Sequence, residues 1–415
     1  MDPTNRPKPR WGAYLIGAYL FSVPAFAYSD SSGLLIIPQV TGALLVGYAL
    51  FDLLGSLNIS IPGEVGLYGL MGLWAVITFY FGASASEWGT PSLGTLTKVV
   101  IATLACAQLI KDDDDLFIAL KIFVFSILFV YYQNMGDIQY LRMAGYVTEE
   151  DRFAGTLTNA NTAAIFSLTV IWAAILLLLR SRKGLLRGAL FFAPIGTALL
   201  IIYYSGSKKG LIGLGLFVLF ITRLLYIRQH ATFFRRSLII LISCFLIIIA
   251  GYFIYTSPFF FRMEQLFSGI SNPSDINRLD LAREAVNVWL MNWKTFFIGV
   301  GYDNFWTYSS LGTYAHSTPL ELLASNGIIG FSLFMGFLFL LFRKFIFLYR
   351  QTFNEELKII FFAVIIFLSI YSFFMMFAVL HDSRELLPIL GCLAAFGKYH
   401  LRLLRQSQVN ELTTS

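Results

Sequence analysis

One of the four histidines in this sequence is placed for acid–base work. His316 ends a long polar stretch and leads straight into an apolar run. A neutral imidazole takes up a proton near pH 7 without large tuning. Thr318-Pro319 reads as the N-cap and first residue of the helix that follows. The positive end of that helix favours the neutral ring. A lone histidine is more often structural, so the reading needs partners. His230 and His400 stand among basic residues, where solvated loop positions explain them. His381 lies in a short turn, His381-Asp382-Ser383-Arg384-Glu385.

Cations come next. Ser205-Gly206-Ser207-Lys208-Lys209-Gly210 joins two apolar runs. Glycines, hydroxyls and two amines in a tight turn form an anion cradle, although lysines at a membrane surface also snorkel. Arg262, Arg278 and Arg283 occupy the long polar stretch, and arginine holds phosphate with two parallel hydrogen bonds. Arg152 precedes Gly155-Thr156-Leu157-Thr158-Asn159-Ala160-Asn161, in which Asn161 is expected to cap the next helix. The run Asp112 to Asp115 invites a metal reading but fits a solvated loop better. Cys106, Cys244 and Cys392 all fall inside apolar runs, at spacings that suit neither a disulfide framework nor a zinc site.

These residues are set among membrane-spanning elements. Apolar residues make up 57% of the 415 and charged residues 13%, against roughly 25% charged in soluble domains. A helix needs about 20 apolar residues to cross the hydrocarbon core, and only helices satisfy their backbone in lipid at such lengths. The expected spans are 11–29, 34–54, 65–84, 94–110, 116–135, 162–180, 188–204, 211–227, 237–256, 327–342, 359–380 and 386–397. The first follows Arg6, Lys8 and Arg10 but lacks a convincing cleavage site and is broken by Pro24, so it reads as a spanning helix and not as a signal peptide.

Basic residues assign the sides. One set of loops holds 19 of the 30 and the other ten, with Lys121 inside a span. The richer set is cytoplasmic, which puts both termini in the cytoplasm. Positive charge confined to such loops also argues against nucleic-acid binding. The chain then divides into residues 1–256 with nine spans and an outer loop at 136–161, a large outer loop at 257–326, and residues 327–415 with three spans and a tail. Within the large loop, Asp280 to Trp293 is expected to form an amphipathic helix with Leu281, Ala285, Val288 and Trp289 on one face.

Together these residues resemble the bacterial O-antigen ligase and O-antigen polymerase superfamily. The closest likeness is His316-Ser317, nine residues, then Gly327-Ile328-Ile329-Gly330. Upstream, Phe297-Ile298-Gly299-Val300-Gly301-Tyr302-Asp303-Asn304-Phe305 looks like the family's Gly-Val-Gly segment. Arg278 matches its loop arginine, and Ser205 to Gly210 looks like its Ser-x-Ser-Arg turn with Lys208 at the arginine position. The segment Arg152 to Asn161 is also similar. The likeness covers about 135–345 by motif. In two respects the sequence departs from the pattern. Lysine replaces arginine at 208, and the ligases' Arg-x-x-x-Leu fits Arg262 to Leu266 while Arg278 is followed by Ala282.

The resemblance implies an all-α, GT-C-like glycosyltransferase of the inner membrane with about 12 transmembrane helices. It implies transfer of glycan from undecaprenyl pyrophosphate to an acceptor sugar hydroxyl in the periplasm. His316 would be the catalytic base. Lys208, Lys209, Arg278, Arg262 and Arg152 would gather the pyrophosphate charge, with no metal or cofactor required. The implied partners are the undecaprenyl-pyrophosphate-linked glycan, the lipid bilayer and other polysaccharide-assembly proteins such as a chain-length regulator. The turn at 205–210 looks more like that of the polymerases. The alternatives are a ligase that attaches O-antigen to the lipid A–core of lipopolysaccharide and, in another class, a flippase of lipid-linked glycans. Charges held almost wholly in loops disfavour the flippase.

Overall fold

The structure is a computed structural model that describes residues 10–26, 34–82, 89–137, 139, 159–180, 185–227, 251 and 273–414. Among these residues all regular structure is helical. We number the helices α1 (Trp11–Phe26), α2 (Ile36–Ser56), α3 (Gly63–Phe81), α4 (Gly89–Leu109), α5 (Asp113–Gln133), α6 (Ala160–Arg180), α7 (Leu185–Ser205), α8 (Lys208–Ile227), α9 (Pro273–Trp289), α10 (Trp293–Ile298), α11 (Thr318–Gln351), α12 (Glu355–Met375) and α13 (Leu387–Thr414).

Eleven of the expected spans coincide with helices, and 237–256, apart from Gly251, lies outside the described residues. Seven helices, α2 to α6, α11 and α12, are long and apolar enough to cross a membrane. Helix α1 is apolar but shorter, as are Leu190–Ser205 and Lys209–Val218 within α7 and α8. Helix α13 differs from the expected span at 386–397. Its first turns, Leu387 to Phe396, are buried in the bundle; the helix runs on to Thr414, and beyond His400 it is charged and mostly exposed as far as Asn410.

Helices α1 and α5, α3 and α11, α4 and α13, and α6 and α7 pack as neighbours. Their shared core is aromatic. Trp172 of α6 stacks on Phe367 of α12 with centroids 4.2 Å apart and donates its Nε1–H to the Ala363 carbonyl at 3.0 Å.

The basic loops meet at one end of the bundle. Arg10 bonds Asp112 at 2.5 Å and Asp115 at 3.0 Å, Arg180 pairs with Asp114, and His400 Nε2 lies 2.8 Å from Asp113. The acidic run is thus an ion-paired hub that ties α1, α5, α6 and α13, not the solvated loop expected from its polarity. His400 is likewise buried in α13 and not in a loop. Lys344 pairs with Glu64 at the same end, and Lys398 Nζ donates to the Ser60 carbonyl at 3.1 Å. His316, Lys209 and α9 lie at the opposite end.

Candidate active site at the end of helix 11

Helix α11 frames the site because it is broken. Gly327 has φ +65°, which only glycine adopts freely. A Cβ there would stand 2.3 Å from the Phe297 carbonyl group, and a Cβ on Gly299, at φ +81°, would stand 2.4 Å from that of Ser325. The two glycines therefore let two backbones touch. The Val300 N–H donates to Ala324 O at 2.9 Å, and the Gly301 N–H donates to Ser325 O at 3.0 Å. In a continuous helix those carbonyls would accept from residues 328 and 329. The Gly-Val-Gly and Gly-x-x-Gly segments are thus two sides of one splice, by which the large loop completes the helix. Trp74 of α3 adds a hydrogen bond to Asn326 O at 2.9 Å.

The short helix 318–326 above the break carries His316 at its head. Ser317 occupies the N-cap position without a side-chain cap bond. Thr318, expected as the cap, is the first helical residue. Its N–H and hydroxyl donate to Ala378 O at 3.1 and 2.7 Å, and its Oγ1 accepts the Leu380 N–H at 2.8 Å. This stitches α11 to the turn that follows α12. Glu321 reaches back one turn and accepts the Ala315 N–H at 2.8 Å and the Ser325 hydroxyl at 2.8 Å. The backbone is therefore held on both sides of His316.

His316 itself has φ +53°, in the left-handed region that non-glycine residues seldom occupy. Its half-buried ring lies 4.3 Å from that of Tyr314, centroid to centroid, and makes no hydrogen bond to another described residue. Burial lowers its pKa to about 4, and the nearby charges of Arg278 and Lys209 push in the same direction. The neutral ring expected from the helix start is thus secured mainly by desolvation.

Arg278 is carried by α9, which buries Leu281, Ala285 and Val288 against Val300, Phe305, Ala315 and Ala324. The amphipathic helix read from the sequence is present. It starts earlier, at Pro273, and stops at Trp289, because Asn292 caps a separate helix through a capping box with Thr295. Arg278 stands one turn before Leu281, near the buried face, and acts electrostatically on both Tyr314 and His316. Arg283 faces outward and pairs with Asp280 at 3.4 Å. The structure therefore brings Arg278, and not Arg283, to the histidine.

Lys209 arrives from the α7–α8 turn. Its Nζ donates to Phe377 O at 2.5 Å and lies 5.5 Å above the Phe377 ring, on the same turn that holds Thr318. The serines of this turn are not free to bind an anion, contrary to the cradle read from the sequence. Ser205 Oγ donates to Ile202 O at 2.8 Å. Ser207 Oγ accepts the Gly210 N–H at 3.2 Å and donates to Asn161 Oδ1 at 2.9 Å. What the described part of the turn offers a ligand is the Lys209 amine. Asn161 serves this contact, and the cap of α6 is Asn159, which accepts the Asn161 N–H at 2.8 Å. Lys208 opens α8; its side chain, and all of Arg152 and Arg262, lie outside the described residues.

Asp303, in the Gly-Val-Gly segment, also has a positive φ of +53°. Burial raises its carboxyl to about 6 against the pull of a hydrogen bond from Ser92, and Asp382 adds to the rise.

Sequence reading missed Glu321, Tyr314 and Phe377. The Thr318-Pro319-Leu320-Glu321 spacing of a capping box was the available signal for Glu321. Nothing in the local sequence marks the other two.

A multi-pass, all-helical protein with a histidine and cations gathered at one end of its bundle is suited to group transfer at a membrane surface. Residues 193–335 match the family described as O-antigen ligase. This stretch contains Lys208, Lys209, Arg278, His316 and both glycine segments, and the match supports the likeness to the O-antigen ligase/polymerase superfamily. The match supports activity of the ligase/polymerase type, in a family of glycosyltransferase-like enzymes. No curated protein matches the chain.

Proposed function

We propose that the protein is a polysaccharide polymerase of the O-antigen type, which transfers glycan from undecaprenyl pyrophosphate to an acceptor sugar hydroxyl at the periplasmic face of the bacterial inner membrane. The observation that carries this reading is the place of a left-handed His316 between Ala315, against which the Arg278-bearing helix α9 packs, and Thr318, which bonds the turn that holds Lys209. The acceptor oxygen attacks the anomeric carbon and gives its proton to the imidazole. The bond from that carbon to the pyrophosphate oxygen breaks, and the leaving pyrophosphate takes the electron pair. Arg278, Lys209 and Lys208 stabilise the charge that develops on it. Before the donor binds, the same cations depress the basicity of His316. A bound pyrophosphate offsets their charge, so the imidazole becomes a stronger base when substrate is present.

The Lys209 amine and the histidine stand at the bundle end opposite the described residues of the basic loops. This supports placing the site outside and the termini in the cytoplasm. The large loop at 257–326 then lies over the membrane surface, where the lipid-linked donor presents its pyrophosphate.

The family description favours a second reading, a ligase that hands the polymer to lipid A–core by the same chemistry. Glycan gels of a deletion strain separate the two. A single-repeat product is expected for the polymerase, and free lipid-linked polymer would establish the ligase. Wild-type glycan in that strain would exclude both.

A further inference from the structure

The corner between α9 and α10 leaves apolar side chains uncovered. Leu290 is 56% exposed, Met291 55%, Trp293 78% and Phe297 44%. They follow one another over eight residues, with Lys294 among them. The rings form a rigid group. Trp293 stacks with Phe297, centroids 6.2 Å apart, and meets the edge of Phe296, which stacks in turn on Trp289 at 5.1 Å. Scattered exposed apolar residues need no explanation, but a contiguous patch at the surface does.

The height of this corner is fixed by its contacts. The Phe297 backbone lies against Gly327, where α11 is broken. Val300 and Gly301 touch Gly82, just past the last residue of α3. The corner therefore sits level with the point at which two membrane-crossing helices end their spans. Helix α3 itself exposes Ile77, Tyr80 and Phe81 there, so the corner continues an apolar, aromatic surface already turned towards lipid. Tryptophan, with lysine beside it, is the residue pair that favours the boundary between headgroups and acyl chains.

We propose that Leu290, Met291, Trp293 and Phe297 form an interfacial anchor that seats in the headgroup region of the bilayer. The anchor holds α9, and hence Arg278, at the height where a lipid-linked phosphate lies. The seating does not depend on the enzymatic reading. It requires only that α3 and α11 span the membrane.

Nitroxide labels at Leu290→Cys and, separately, at Trp293→Cys in liposome-reconstituted protein test it, with Asn287→Cys on the exposed side of α9 as reference. Collision rates with dissolved oxygen and with a water-soluble nickel chelate report depth. The expected result is that oxygen exceeds the chelate severalfold at 290 and 293, and that the order reverses at 287. Chelate access at 290 and 293 equal to that at 287 would overturn the anchor, because the corner would then stand in water. Protection from both reagents would overturn it too, because a protein surface would cover the patch.

Discussion

Glu321 accepts the backbone N–H of Ala315 at 2.8 Å, across the residue on which the proposed chemistry turns. The bond spans His316 and fixes the chain on its N-terminal side, while Thr318 fixes it on the other. A left-handed histidine needs both, because its backbone conformation is held by its surroundings and not by its own preference. Glu321→Ala leaves the Ala315 N–H and the Ser325 hydroxyl without their acceptor. The expected cost is about 1–3 kcal/mol for each buried group so stranded. Activity should fall with thermal stability, whereas Glu321→Gln, whose amide oxygen still accepts from Ala315, should retain most of both. A fully active alanine variant would show that this bond does not position the histidine.

Replacing His316 removes the proton acceptor. His316→Ala and His316→Gln should each lose about 10²–10⁴-fold in turnover while inserting normally, since loss of a general base costs that much. Glutamine keeps hydrogen bonding but takes up no proton. Wild-type turnover in the glutamine variant would reduce His316 to a positioning residue and leave a loop carboxylate, Asp303 or Asp280, as the base.

The pH profile carries a sign. His316 must be neutral to act, and burial with two cations lowers its pKa from 6.5 to about 4. The acid limb of kcat/KM, which reports the free enzyme, should therefore lie near pH 4, and activity should be flat through pH 6.5. Arg278→Ala removes a charge that opposes protonation, so its acid limb should move to higher pH. A wild-type limb at 6.5, or an unmoved limb in the variant, would contradict the electrostatic link between the two residues.

Cation substitutions should act on the leaving group. Lys209→Ala, Arg278→Ala and Lys208→Ala are each expected to lower turnover by about 10²–10³-fold, as loss of one oxyanion donor does, at unchanged protein level. Arg283→Ala should be near neutral, because that side chain is exposed and pairs only with Asp280 among the described residues. Lys208→Arg should be tolerated, since charge is kept and a bidentate phosphate contact is gained.

The glycines offer a comparison within one loop. Gly327 and Gly312 both have φ near +60°, but a Cβ on Gly312 meets nothing within 4 Å. Gly312→Ala should cost only the backbone term, roughly 1–2 kcal/mol. Gly327→Ala adds a backbone clash that no rotamer relieves, and should give far less folded protein in a thermal or proteolytic assay. Equal stability of the two variants would remove the splice from the account of the site.

Sidedness is open to a direct check. A cysteine at Ser310, which is exposed in the large loop, should react with an impermeant maleimide in intact spheroplasts, and one at Arg405 should not. The opposite pattern would invert the topology.

Much of this arrangement is written locally. Apolar runs show the spanning helices, because the hydrocarbon core imposes one length on all of them. His316 and the two glycine segments stand out by type and spacing, since a left-handed backbone and a close approach leave few residues to choose from. What escaped notice is long-range. Ser207 looks like an anion ligand until Asn161, 46 positions away, is seen to take its proton. Asp112 to Asp115 looks like a solvated loop because Arg10 and Arg180, which pair with it, and His400, which hydrogen-bonds Asp113, come from distant parts of the chain. Periodicity reports which face of a helix is apolar, and is silent on which distant charge that helix will meet.

The break at Gly327 also bears on how the chain is assembled. In a bilayer every backbone carbonyl must find a donor, and among the described residues those of Ala324 and Ser325 find theirs in residues 300 and 301. The donors are synthesised before the acceptors. A nascent chain thus has to finish the fold of its large loop before the head of α11 reaches its final form. A loop that fails to fold leaves two open carbonyls beside lipid, which is the kind of defect membrane quality control removes. The splice makes completion of the proposed site a condition for a settled helix, so an inserted protein that lacks it should be short-lived.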